Sequence, residues 1–176
     1  MKNLTLVWDP LVRLFHWGLV SLFLVAWLSG DELAKLHITA GYIIVGLIFF
    51  RLVWGFIGSP YAKFSQFVKS PKQIINYLKD MIKGKEKRYL GHNPAGAAMI
   101  ITLLFGLSLL CLSGWLYTTD MFWGSDWVEE VHELLANVLI ACVVLHIGGV
   151  IIASKRHKEN LVKAMFTGRK KTSDHE

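Results

Sequence analysis

Four histidines carry most of the chemistry open to this chain. His132 and His146 lie fourteen residues apart in the apolar stretch 127–154. Fourteen helical residues rise ~21 Å and return to within about 40° of the starting direction. One helix therefore aims two imidazoles the same way at two depths. His16 and His37 sit near the starts of two earlier apolar runs. An ionisable group inside a membrane span is costly, so it is a functional hypothesis by default. Neutral imidazole is a common metal ligand and the usual axial ligand of haem iron. Zinc would need every ligand within about 2.1 Å of one ion, and the ~21 Å between His132 and His146 forbids that. A single histidine in a span reads as a satisfied core residue or a proton relay. Four of them, matched two and two by depth, read as two ligand pairs.

The elements that must position these residues follow from composition. The chain has 176 residues, 53% of them hydrophobic, with seven Trp and ten Phe. Unbroken runs of large apolar residues at this length describe a polytopic membrane protein, since about 20 apolar residues cross a bilayer. The spacing predicts an all-α integral membrane four-helix bundle with spans at about 11–29, 36–57, 95–118 and 127–154. These form one four-span domain over residues 1–155, followed by a basic tail, 156–176, expected to fray. No small-residue cleavage site follows the first run, so no removable signal peptide is expected.

Pro10, Ser70-Pro71 and Asn93-Pro94 are helix-start signals. After Ser70, Ile74, Ile75, Leu78, Met81 and Ile82 recur at helical spacing among Lys72, Lys79 and Lys83. That pattern predicts an amphipathic helix on the cytoplasmic membrane surface, with a solvated linker helix as the alternative. The third span holds Gly96, Ala97, Ala98, Gly106, Ser108, Ser113 and Gly114, which admit a close helix or a flat cofactor. Cys111 and Cys142 sit within apolar runs and read as small core residues. No C-x-x-C-H occurs, which excludes covalent c-type haem on this chain.

Charge sets the expected orientation. The net charge of +6 hides an asymmetry. On the side of residues 30–36 and 119–133, Lys35 stands alone against Asp31, Glu32, Asp120, Asp126, Glu129, Glu130 and Glu133. Every other basic residue lies on the opposite side, and the positive-inside rule puts both termini in the cytoplasm. Trp115, Tyr117, Trp123 and Trp127 fit an outer aromatic belt. Depth then pairs His16 with His146 near the inner face and His37 with His132 near the outer face. Bis-histidine ligation of two b-type haems, stacked along the membrane normal, follows as the expectation. Arg51, fourteen residues after His37, falls at inner-haem depth, and a propionate would answer its charge. Arg13 and His92 are further propionate candidates; snorkelling to lipid phosphate is the alternative for the arginines. His157 and His175, in the basic tail, are expected to be solvated.

The stretches VWDPLVRLFHW (7–17), HITAGY (37–42), FRLVWGFIGSPYAKF (50–64), GHNPAGAAM (91–99) and the H-x13-H of the fourth span together give a family resemblance. The chain resembles the bacterial di-haem cytochrome b561 proteins, which are similar to the cytochrome b subunits of Ni/Fe-hydrogenases. The resemblance implies two non-covalent haems b on His16, His37, His132 and His146. It also implies residence in the bacterial inner membrane, electron exchange with the quinone pool and usually a protein partner. One branch of the family oxidises superoxide at the outer surface and passes the electron to quinone. The outer loops sum to −6, which repels an anion and suits a basic partner such as a c-type cytochrome or a redox-enzyme subunit. Superoxide:quinone oxidoreductase activity and a haem-free membrane anchor stand as the alternatives. No nucleic-acid partner is expected.

Overall fold

The computed structural model describes residues 4–30 and 32–172; Asp31 and His175 lie outside them. In chain order the elements are β1 (Leu4–Leu6), α1 (Pro10–Ser29), α2 (Ala34–Ile57) and a 3-10 turn (Pro60–Ala62). Then come α3 (Phe64–Phe67), α4 (Pro71–Ile82), α5 (Pro94–Tyr117), α6 (Asp126–Arg156), α7 (Leu161–Thr167) and β2 (Arg169–Lys171). Helices α1, α2, α5 and α6 are long and apolar enough to cross a membrane. At ~1.5 Å per residue the shortest, 20 residues, spans ~30 Å, the thickness of a bilayer's hydrocarbon core. Their large apolar residues stay widely exposed, as with Leu28, Phe49, Phe56, Phe105 and Leu145. On helices of this length such surface suits contact with lipid tails, and the all-α membrane bundle expected from the sequence is the fold observed.

The chain contacts divide into two compact units. One joins residues 14–52 with 102–144 and contains parts of the four long helices. Its core is Ile44, Ile48, Leu107 and Leu139, with Leu22, Phe23 and Leu110 packed around it. The small residues of α5 admit this packing: a Cβ added to Gly106 would lie 2.9 Å from Leu139 Cδ2 on α6.

The other unit joins residues 1–13, 53–101 and 145–176. Here the expectation of a fraying tail is corrected. Asn160 caps α7 by accepting from the Lys163 amide at 2.7 Å, and Gly168 ends it in the left-handed conformation, φ 76°. The chain then pairs as β2, antiparallel to β1, with Thr5 opposite Lys170. Gly168 also accepts from the amides of Val7 and Trp8 at 2.8 and 3.0 Å. Val7, Trp8 and Ala164 are buried together beneath this clasp. Charges that look solvated in sequence lock it: Glu159 meets Arg88 at 3.0 Å and buried Lys170 at 3.4 Å, and Arg156 meets Glu86 at 2.9 Å. In the same unit α4 begins with a capping box between Ser70 and Gln73. It buries Tyr77 and leaves Ile75, Leu78 and Ile82 exposed, as an amphipathic surface helix should.

Asp9 is the hinge-pin of the chain entry into α1. One carboxylate oxygen accepts from the amides of Leu11 and Val12 at 2.9 and 3.0 Å, capping the helix ahead of Pro10. The other accepts from Trp54 Nε1 at 3.2 Å and from the Ser59 hydroxyl. Burial is the largest single influence on its pKa and raises it, but the bonds from Ser59, Val12, Trp54 and Leu11 together outweigh burial. The carboxyl is left below its ordinary value. A depressed carboxylate adds stability that is full above its unfolded pKa of ~3.9 and is lost as pH falls through the folded value. Asp9→Ala should therefore cost about 1–2 kcal/mol at pH 7. Unfolding followed in detergent should show a lowered midpoint at pH 7 and a gap to the parent chain that closes below about pH 4; equal midpoints at pH 7 would contradict the assignment.

Candidate functional site

Within the unit of residues 14–52 and 102–144, His37 and His132 face one another. His37 is in the first turn of α2 and His132 in the second turn of α6. Their ring centroids are 5.9 Å apart with the planes at 72°. Both rings are half-buried.

Each ring has its Nδ1 tied. His37 Nδ1 lies 2.8 Å from the carbonyl oxygen of Ala26. Ala26 is in the last turn of α1, where carbonyls run out of intrahelical donors. A carbonyl only accepts, so Nδ1 of His37 carries the proton. His132 Nδ1 lies 3.0 Å from Ser113 Oγ on α5. The Ser113 hydroxyl donates to the carbonyl of Leu110 at 2.9 Å. Its one hydrogen is thereby used, and it accepts from Nδ1–H of His132. In both rings the lone pair is left on Nε2. This is the arrangement of metal-ligating histidine, whose second nitrogen donates to a carbonyl, carboxylate or similar acceptor.

The spacing suits one ion between two imidazoles. A metal–nitrogen bond of ~2 Å plus ~1.1 Å from nitrogen to ring centre, taken twice, gives about 6.2 Å between centroids. The observed 5.9 Å is close to that. Among the described residues no three His, Cys, Asp or Glu side chains gather as a metal site. Two imidazoles alone are too few for a structural zinc, which takes four ligands. They are the number a haem needs, because the porphyrin supplies four nitrogens and the protein two axial ones. Beside the pair, Gly114 offers no side chain: a Cβ there would sit 2.9 Å from His132 Cε1. The donor set, its tautomers and this relief fit haem.

The remaining sequence candidates are distributed as follows. His16, on α1, is half-buried and meets the ring of Trp17 edge-on, centroids 5.0 Å apart. It belongs to one compact unit, and half-buried His146 of α6 to the other. Arg51 is 3% exposed in α2, a depth of burial that asks for an anionic or carbonyl partner. Arg13 donates from Nη1 to the Phe166 carbonyl, so part of its guanidinium serves α7. His92 lies between two aromatic rings, with centroids 4.5 Å from Trp8 and 4.6 Å from Phe67. His157 is half-buried, not solvated as expected, because it follows α6 directly into the ion-paired segment around Glu159.

Glu32, Asp120, Asp126, Glu129, Glu130, Glu133 and Lys35 are all exposed. Asp126 and Glu129 also lie in the first turn of α6, where the helix dipole favours negative charge. Glu129 accepts from the Tyr117 hydroxyl at 3.0 Å.

Reading the sequence alone misses Ser113, Gly114 and the Ala26 carbonyl as supports of the pair. Ser113-Gly114 stands out only as small residues in a span, and a backbone carbonyl has no signature at all.

A profile of prokaryotic cytochrome b561 matches residues 7–168. No curated protein and no solved structure matches the chain. The profile covers His16, His37, His132 and His146 together with the four long helices. The chain therefore belongs to the prokaryotic cytochrome b561 family of multi-pass membrane proteins, which bind haem b and carry electrons.

Proposed function

We propose that this chain is a di-haem b cytochrome that moves electrons between the quinone pool and a redox partner at the outer face of the bacterial inner membrane. The observation that supports it most is the facing pair His37 and His132, each with Nδ1 tied and Nε2 available. These two residues hold the outer haem. His16 and His146 hold the inner one, a pairing supported by helix register in the sequence. Bound haem supplies a one-electron iron couple. Two histidines would hold each haem iron and leave no position open for substrate, which favours electron transfer over bond-making chemistry. Arg51 answers the charge of a propionate at the inner haem; Arg13 and His92 are weaker candidates, being engaged with Phe166 and with Trp8 and Phe67.

Both termini and α4 lie on the cytoplasmic side, in keeping with the basic residues there. The exposed acids at the opposite ends of the helices attract a basic electron-transfer protein, such as a c-type cytochrome or a redox-enzyme subunit.

Haem counting in purified variants tests the ligand pairs. The parent chain should carry two haems. His37→Ala and His132→Ala should each lose one, and the double variant should still keep one because both changes empty the same site. His16→Ala combined with His132→Ala should keep none. A double His37/His132 variant without haem, or a His132→Ala chain with two, would contradict the assignment. For the partner surface, Glu130→Lys with Glu133→Lys should slow electron exchange with a basic c-type cytochrome by roughly tenfold at low salt, and the difference should shrink as salt screens it. A rate indifferent to both charge reversal and salt would remove the acidic face from the docking site.

A further inference from the structure

Serines inside apolar helices commonly return their hydroxyl to their own backbone, and this chain has plain examples. Ser108 donates to Leu104 at 2.8 Å, and Ser29 to Val25 at 2.7 Å. Ser113 does more. It donates to Leu110 within α5 and also accepts from the His132 ring of α6. It is 6% exposed, so water does not compete for the bond. The next residue, Gly114, clears the space that His132 Cε1 fills, and a Cβ at 2.9 Å would push the ring off the serine. The two facing histidines are thus tied unequally: His37 to a carbonyl fixed by the backbone, His132 to the Ser113 hydroxyl, with the Leu110 carbonyl that this hydroxyl serves also beside the ring.

We propose that Ser113 is a positioning residue for His132, setting through its hydroxyl the ring's tautomer, its orientation and its strength as an iron ligand. This rests on the reading of His37 and His132 as ligands of one haem. A hydrogen bond accepted from Nδ1–H makes the imidazole a better electron donor to the metal. A better donor favours ferric iron, so the bond lowers the midpoint potential of that haem, and losing it raises the midpoint.

Redox titration and low-temperature EPR of the haem-loaded protein test this, with Ser113→Ala, Ser113→Thr and Ser108→Ala compared. Ser113→Ala should keep two haems, shift the low-spin signal of one, and change its reduced-to-oxidised ratio at fixed potential at least threefold toward reduced. Threefold is about 28 mV at 59 mV per tenfold for one electron. The other haem should not move. Ser113→Thr, which keeps the hydroxyl, and Ser108→Ala, which touches only its own helix, should both match the parent. If Ser113→Ala loses a haem, Ser113→Thr should keep it. The proposal is overturned if Ser113→Ala leaves both midpoints and both EPR signals unchanged, or if Ser113→Thr behaves like Ser113→Ala. Failure of the underlying reading looks different: His132→Ala would then retain two haems.

Discussion

The Nδ1 proton of an imidazole decides whether the ring can serve a metal, and here that proton has an assigned acceptor on both rings of the facing pair. Ala26 and Ser113 take it from His37 and His132. Without those acceptors each ring would be free to turn over or to exchange tautomers, and the lone pair would not be held on Nε2. The acceptors come from helices α1 and α5, and the rings from α2 and α6. One pair of imidazoles therefore draws on all four long helices. The close packing of Gly106 against Leu139 and of Gly114 against His132 brings α5 near enough to α6 for a short serine side chain to reach.

The two compact units solve different physical problems. Residues 14–52 and 102–144 bury Ile44, Ile48, Leu107 and Leu139, together with Phe15, Ala40, Leu104 and Val128, and spread large hydrophobic side chains outward. That is stable only where the surroundings are themselves apolar. The unit of residues 1–13, 53–101 and 145–176 is held by polar chemistry instead. The Asp9 cap, the Gly168 turn, the strand pair and the ion pairs around Glu159 and Glu86 are contacts of the kind that hold water-exposed segments. The basic residues of this unit thus do structural work: Arg88, Arg156 and Lys170 each have a carboxylate partner.

The sequence showed most clearly what is local and periodic. Four apolar runs of spanning length became four long helices, and Asp9-Pro10, Ser70-Pro71 and Asn93-Pro94 start helices because capping and proline geometry act within a few residues. Histidine spacing was legible for the same reason. The strand pair was not, since β1 and β2 have three residues each and lie at opposite ends of the chain. Three residues show no usable alternation. Helix α7 did carry its marks, Asn160 before it and Gly168 after it, but at seven residues it shows too little periodicity to outweigh a lysine-rich composition. The supports of the histidines were hidden for two different reasons. Ser113 looks like any small residue of a packed span, and the Ala26 carbonyl belongs to the backbone.

The most direct measurement is pulsed hyperfine spectroscopy of the oxidised, haem-loaded protein with nitrogen-15 in its histidines. Each low-spin iron should couple to two histidine nitrogens, both Nε2, with an exchangeable proton retained on the Nδ1 of each ring. One histidine nitrogen on either iron, or coordination through Nδ1, would contradict the facing-imidazole site.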